Sequence, residues 1–163
     1  MESSPDVLKW VLAAACVGSG MMAGLFSAFS TFMMKALSSL PGSEGMRAMQ
    51  AINRLIVRPS FLFVFLGTGA LCVASAFLSA DVSGVAPRTI SAAVIYVVAC
   101  IVSTILFNVP LNNQLDAADP TSEDGQAVWI RYVASWSRWN HLRSVATIVT
   151  TFLLVSAISR LSE

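Results

Sequence analysis

The sequence predicts an all-α fold, namely an integral membrane, antiparallel four-helix bundle with a short interfacial helix between spans one and two. The first observation is composition, because 56% of the 163 residues are hydrophobic and only 12% are charged, which is unlike a soluble domain. The second is that residues 10–34, 59–80 and 89–115 contain no Asp, Glu, Lys or Arg. About 20 apolar helical residues cross a hydrocarbon core roughly 30 Å thick, so each segment is long enough to span.

The first span is expected at residues 7–34. This segment is longer than the apolar core of a signal peptide, and Glu2 and Asp6 replace the usual basic start, so we expect the helix to remain in the mature protein. Gly20 and Gly24 lie four residues apart and predict close packing against a neighbouring helix.

Residues 44–56 carry apolar side chains at helical spacing, which predicts a short helix on the membrane surface rather than a fifth span. The apolar face is expected to contain Met46, Met49, Ile52, Leu55 and Ile56. The side chains expected to turn away from it are Arg47, Gln50 and Arg54.

Spans two, three and four are expected at residues 59–80, 89–113 and 130–160, within one membrane domain covering residues 1–163. The turn at residues 81–88 contains Gly and Pro, and the acidic loop at 116–126 is also short, so neighbouring helices should be antiparallel. The charge-free part of the last span, residues 144–159, is short, but its apolar pattern extends back through Trp136 and Trp139.

The distribution of Lys and Arg predicts the orientation of the bundle. One side carries Lys9, Arg88 and Arg160 together with both termini. The other side carries Lys35, Arg47, Arg54, Arg58, Arg131, Arg138 and Arg143. Because positive residues concentrate on the cytoplasmic side, we expect both termini to point away from the cytoplasm in a cell membrane or endomembrane.

The strongest candidate site surrounds the only histidine of the chain, His141, within Trp139-Asn140-His141-Leu142-Arg143. Trp136, Trp139, Asn140 and Arg143 recur at three- and four-residue steps and share a helix face, from which His141 is offset. Tryptophans alone would indicate an aromatic belt, and arginines alone would indicate snorkelling. Asn and His add a desolvation cost that anchoring does not require, so we interpret the set as functional.

A second polar group lies at the end of the third span, where Asn108 and Asn112 are four residues apart on one face. Pro110 lacks a backbone donor and frees the carbonyl of Leu106. Asn108 lies within the apolar segment and needs a buried partner, for which His141 or Arg143 is the natural candidate. On the first span, Phe29 is a candidate for the floor of an apolar pocket, although core packing explains it equally well.

Metal and nucleotide sites are hard to build from this composition. One His, three Cys in three different spans and no acidic residue inside a span provide no facial triad, no HExxH sequence and no paired carboxylates. We therefore expect no metal and no cofactor, with a haem held by His141 alone left as an alternative. A formal net charge of +1 gives no reason to expect a nucleic-acid partner.

At this point the chain resembles the anthrone oxygenase-like family of small four-helix membrane proteins, formerly a domain of unknown function. The specific motifs are residues 108–115, Asn-Val-Pro-Leu-Asn-Asn-Gln-Leu, and residues 136–143, Trp-Ser-Arg-Trp-Asn-His-Leu-Arg. Weaker matches are residues 24–30 and 49–53.

The resemblance implies a cofactor-independent oxygenase that oxidises an anthrone-like polycyclic phenol to a quinone with dioxygen. His141 would be the general base, Arg143 the enolate stabiliser and Asn108 an orienting group, all three catalytic. The residues expected to bind the substrate are Asn112, Trp136, Trp139, Asn140, Phe29 and Ser27. The expected partners are the lipid bilayer, a small aromatic lipophilic substrate and dioxygen, with a homo-oligomer left open.

Whether the chain is an enzyme stays open at this stage. The rival hypothesis is a non-enzymatic membrane protein that binds a lipid or a quinone-like molecule, or serves as a subunit of a larger assembly. Such a protein would use the same pocket without a proton acceptor, so the position of His141 relative to a cavity discriminates the two.

Overall fold

A computed structural model describes residues 5–41 and 43–161. Within these ranges the chain is helical and has no strand. Five helices follow one another: α1 at residues 5–39, α2 at Glu44–Ile56, α3 at Pro59–Leu78, α4 at Ala86–Ala117 and α5 at Glu123–Leu161. All except α2 are long and apolar enough to cross a membrane, so the chain is an integral membrane protein with four candidate spans. Glu2, used in the prediction of the mature N-terminus, lies outside the described residues.

Hydrogen bonds between α1 and α5 fix the relative direction of these two helices. Ser19 Oγ donates to the carbonyl of Thr147 over 3.1 Å, and Ser27 Oγ lies 2.8 Å from Ser144 Oγ. Residue numbers rise along α1 while they fall along α5, so the two helices run in opposite directions. This pairing is consistent with the predicted antiparallel bundle.

The close approach of α1 to a neighbour occurs at a different glycine from the predicted ones. A Cβ added at Gly20 or Gly24 would meet nothing within 4 Å, whereas one at Gly18 would lie 2.1 Å from Thr68 Oγ1 on α3. The expectation for Gly20 and Gly24 was therefore wrong, because the α1 face that contacts α3 contains Gly18 instead.

Two of the spanning helices widen locally into π-helical turns. These turns are Phe29–Met33 in α1, and Tyr96–Val102 and Thr104–Asn108 in α4. At the last of them the Val109 N–H bonds to the carbonyl of Thr104, five residues back, next to the position where Pro110 has no N–H to donate. π-Helical turns inside α-helices are frequent at functional sites, and two of these three segments reach the cavity described below.

The connecting helix α2 has the predicted bounds but a different buried face. Met46 and Met49 are buried as expected, but Gln50 is also buried and Leu55 is exposed. Gln50 Nε2 donates to the carbonyl of Leu115 over 2.8 Å, where α4 ends. The last carbonyls of a helix lack intrahelical partners, and Gln50 satisfies one of them, which explains why this polar side chain turns inward.

The apolar core divides into two clusters. The cluster nearer the termini includes Leu12, Cys72, Tyr96 and Leu154, and the other includes Met46, Met49, Phe29 and Trp136 around α2. The three cysteines are free thiols: Cys72 and Cys100 are buried, and Cys16 is partly buried.

Candidate functional site

A cavity lies inside the bundle and is lined by side chains from all five helices. The space open to water-sized molecules measures about 70 Å³. The lining is mostly apolar and aromatic and contains Leu25, Phe26, Phe29, Met49, Ile52, Ile56, Phe61, Phe65 and Trp136. Its polar members are Asn53, Thr104, Asn108, Asn112, Asn140 and Arg143. A few convergent polar groups in an apolar cavity are typical of a small-molecule site.

Arg143 is the charged group of this lining and is only 3% exposed. Its guanidinium donates to Thr104 Oγ1 over 3.0 Å and to Asn140 Oδ1 over 3.2 Å. The guanidinium carbon also lies 4.8 Å from the ring centroid of Phe26 and 5.3 Å from that of Trp136. Two neutral acceptors and two rings hold the cation in place, while no Asp or Glu lines the described cavity. The site therefore has an excess positive charge.

Four polar atoms around the cavity have no hydrogen-bond partner among the described residues. They are the Nδ2 and Oδ1 atoms of Asn108, Nε1 of Trp136 and Nε of Arg143. Buried polar groups are nearly always paired, and leaving one unpaired costs about 1–3 kcal/mol. Three free donors and one free acceptor on residues of one cavity are what a bound ligand would satisfy.

A hydrogen-bonded chain orients two further amides of the lining. Asn53 Nδ2 donates to the Tyr132 hydroxyl over 3.2 Å, and that hydroxyl donates to Asn112 Oδ1 over 2.9 Å. The chain joins α2, α5 and α4. Tyr132, which is 2% exposed, therefore fixes both amides from behind the cavity wall.

Comparison with protein families gives a match over residues 61–153 to the family described as anthrone oxygenase. The chain belongs to the anthrone oxygenase family. The matched residues include the specific motifs at 108–115 and 136–143, while α1 and α2 precede the match. No curated protein and no solved structure matches the chain.

In this member of the anthrone oxygenase family, six of the nine predicted site residues line the cavity. They are Arg143, Asn108, Asn112, Trp136, Asn140 and Phe29. Asn108 and Arg143 thus share the cavity as expected, but the Asn108 side chain makes no hydrogen bond to Arg143 or to His141. His141, Trp139 and Ser27 lie elsewhere.

His141 is exposed and belongs to a separate surface groove. The groove is lined by Phe29, Ser30, Met34, Lys35, Ser38, Ser39, Val133, Ala134, Ser137 and His141. Successive side chains along an α-helix differ in direction by about 100°. His141 follows the inward-facing Asn140, so its side chain points away from the cavity. The groove nevertheless adjoins the cavity, because Phe29 lines both and Ser30 accepts a 2.8 Å hydrogen bond from Asn140 Nδ2.

The two tryptophans of the motif have different environments. Trp136 lines the cavity, with the Phe29 ring 5.4 Å away at 60°. Trp139 instead stacks on Phe107, with ring centroids 3.7 Å apart, and does not line the cavity. Ser27 bonds to Ser144 between α1 and α5.

Sequence reasoning did not assign Asn53, Thr104, Tyr132 or Phe26 to the site. Each of them lies at helical spacing from a residue that the sequence did single out. Thr104 precedes Asn108 and Asn112 at four-residue steps, and Asn53 follows Met46 and Met49 on the same helix face. Tyr132 precedes Trp136 by four residues and Phe26 precedes Phe29 by three, but only the packing places their side chains near Asn112 and Arg143.

The described residues form no group of three or more His, Cys, Asp or Glu side chains that could hold a metal ion. The polar chemistry of the cavity consists of amides, one hydroxyl, one indole N–H and one guanidinium. Such a set binds and orients oxygen atoms and stabilises negative charge.

Proposed function

We propose that this protein is a membrane-embedded oxygenase that binds a flat, lipophilic, anthrone-like phenol as its anion and oxidises it with dioxygen. The observation that carries the proposal is Arg143, a guanidinium that is 3% exposed, has a free Nε and shares an apolar cavity with the unpartnered amide of Asn108. Membership of the anthrone oxygenase family supports the same reaction class.

The proposed reaction needs no electrons from outside the two substrates. The anthrone methylene loses a proton and becomes an enolate, and the enolate carbon reduces dioxygen and forms a carbon–oxygen bond. After protonation, the hydroperoxide loses water and leaves a ketone. In total, a CH₂ group and O₂ become a C=O group and H₂O. The protein must favour the anion, orient it and exclude water.

Arg143 favours the anion in this scheme. The guanidinium lies on the cavity wall, and Thr104 and Asn140 hold it in position before substrate arrives. A fixed cation in a cavity of low polarity stabilises developing negative charge without reorganising during the reaction. Asn108 adds a free N–H for the same oxygen and a free carbonyl for a substrate hydroxyl.

The proton leaves toward His141 in our proposal. The described cavity lining contains no His, Asp or Glu, so the acceptor lies outside it. The groove of His141 shares Phe29 with the cavity. Movement of the Phe29 ring would therefore join the two spaces, with His141 on the outer surface of the bundle.

The cavity must also widen to admit the proposed substrate. It measures about 70 Å³, whereas sites for drug-sized ligands have volumes of about 300–1,000 Å³. The side chains of α2 are the simplest part to move, since Met49, Ile52 and Ile56 line the cavity from a helix outside the four candidate spans. The bilayer would supply the lipophilic substrate.

The second candidate is a membrane protein that binds a lipid or quinone-like molecule without turning it over. It is favoured by one observation, namely that the described cavity lining holds no ordinary general base. Dioxygen uptake by purified full-length protein in nanodiscs, with an anthrone as substrate, separates the two. We expect one O₂ consumed for each quinone formed, above the uncatalysed rate. Saturable anthrone binding with no O₂ uptake would establish the binding protein instead.

We further propose that both termini point away from the cytoplasm. Arg143 is buried inside the bundle, so it does not count as a loop charge. The remaining basic residues still favour the side opposite the termini. Six lie there (Lys35, Arg47, Arg54, Arg58, Arg131 and Arg138) and three lie on the terminal side (Lys9, Arg88 and Arg160).

A further inference from the structure

We infer that the cavity is also a binding site for a small inorganic monovalent anion such as chloride, which neutralises Arg143 while no substrate is bound. This concerns the same site as the proposed function. It rests on that function only for the expectation that anion and substrate compete.

The charge balance of the cavity is the first observation. Arg143 is 3% exposed and lies in a candidate membrane span. Its hydrogen bonds go to the neutral oxygens of Thr104 and Asn140, and no carboxylate lines the described cavity. A buried cation without a counterion is strongly disfavoured. The faces of two aromatic rings compensate only part of this penalty.

The free hydrogen-bond donors are the second, independent observation. Arg143 Nε, Asn108 Nδ2 and Trp136 Nε1 have no partner among the described residues, although all three side chains line the same cavity. A monovalent inorganic anion such as chloride has no donor of its own and accepts several N–H groups at once. The one free acceptor, Asn108 Oδ1, calls for a water molecule beside the anion.

The cavity size selects among anions. About 70 Å³ of space open to water-sized molecules is several times the ~10–15 Å³ that a cavity needs to hold one water molecule. One small anion and one water fit this space. A fatty-acid carboxylate or a sugar acid does not fit at this volume, because each brings several carbon atoms into the cavity; the wider cavity proposed for the anthrone is a different state.

The test is the thermal stability of the purified full-length protein in nanodiscs, titrated with sodium chloride against sodium gluconate at constant ionic strength. We expect a saturable rise in Tm, by about 5–10 °C at a hundredfold excess over Kd. Bromide and nitrate should act like chloride. A response that never saturates, or that gluconate reproduces, would overturn the inference, since it would report a general salt effect.

Two variants locate the anion. Arg143→Gln should lose the saturable chloride response, while Arg138→Gln, an exposed arginine on the same helix, should retain it. Asn108→Leu retains a side chain of similar volume and should weaken chloride binding about tenfold or more. This variant also tests the site if Arg143→Gln does not fold. A chloride affinity unchanged in either Arg143→Gln or Asn108→Leu would refute the assignment of the site.

The outcomes separate the two proposals. In an active enzyme, chloride should raise KM for the anthrone and leave kcat unchanged. A saturable chloride response in a protein that never consumes O₂ would refute the oxygenase proposal and support the anion site. Turnover without any saturable chloride response would refute the anion site and support the oxygenase proposal.

Discussion

Replacing Arg143 with Gln removes the proposed charge stabiliser while retaining a polar side chain of moderate length. The wild-type guanidinium is fixed by Thr104 and Asn140 and lies over the rings of Phe26 and Trp136. It therefore cannot retreat from the cavity, and its charge acts fully on a bound anion. We expect kcat/KM for the anthrone to fall sharply in the variant.

The magnitude follows from the Coulomb energy. Two unit charges about 4 Å apart attract each other by about 4 kcal/mol at an effective dielectric constant of about 20. At about 1.4 kcal/mol for each factor of ten, this predicts a loss of about a thousandfold. That value lies at the upper end of the losses measured when one oxyanion-stabilising donor is removed, about a hundredfold to a thousandfold.

The assay is initial O₂ uptake and quinone formation in nanodiscs over a range of anthrone concentrations. Arg138→Gln is the matched control, because Arg138 is an exposed arginine on the same helix, and it should retain wild-type kcat/KM. Methylguanidine added to Arg143→Ala should restore part of the rate, which a purely structural role would not allow. A kcat/KM of Arg143→Gln within tenfold of wild type, in folded protein, would refute the charge-stabilising role.

Three further predictions test the proton path, the helix packing and the orientation. His141→Gln should lower turnover about a hundredfold at pH 7 and by less at higher pH, where hydroxide replaces the lost base; an unchanged rate would exclude His141 from the proton path. Gly18→Leu should lower the free energy of unfolding by about 1–3 kcal/mol, because its Cβ would lie against Thr68 Oγ1. Gly24→Leu is the control and should not lower it, because a Cβ at Gly24 meets nothing within 4 Å. Equal Tm values for the two variants would contradict this packing. Cysteines at the exposed positions of Ser83 and Asp124 test the orientation in intact cells treated with an impermeant maleimide. Ser83→Cys should be labelled and Asp124→Cys should be protected. The reverse result would show the opposite topology.

The sequence predicted the helices well and their rotation less well. Residues 44–56 were expected to form a helix and do so, because apolar periodicity and turn residues act over a few neighbours along the chain. Gln50 and Leu55 exchanged places between the buried and exposed faces. The carbonyl of Leu115 at the end of α4 decides this exchange, and the sequence gives no indication that it lies beside α2.

The composition of the site shows the same division. The four-residue step from Asn108 to Asn112, and the three-residue step from Asn140 to Arg143, placed each pair on one face of its own helix. Only the packing of α4 against α5 shows that these two faces meet in one cavity. Asn53 and Tyr132 joined the site through hydrogen bonds across three helices, which no local pattern encodes.

The sequence by itself determined an all-helical membrane protein with four candidate spans, the anthrone oxygenase resemblance and the polar motifs on α4 and α5. Hydrophobic segment length decides membrane insertion, and it can be counted along the chain. Only the tertiary structure decided that Arg143 lies inside the cavity and His141 outside it. The side chains of residues two positions apart on a helix point in directions that differ by about 200°. Which of the two directions faces the cavity depends on how neighbouring helices rotate and pack.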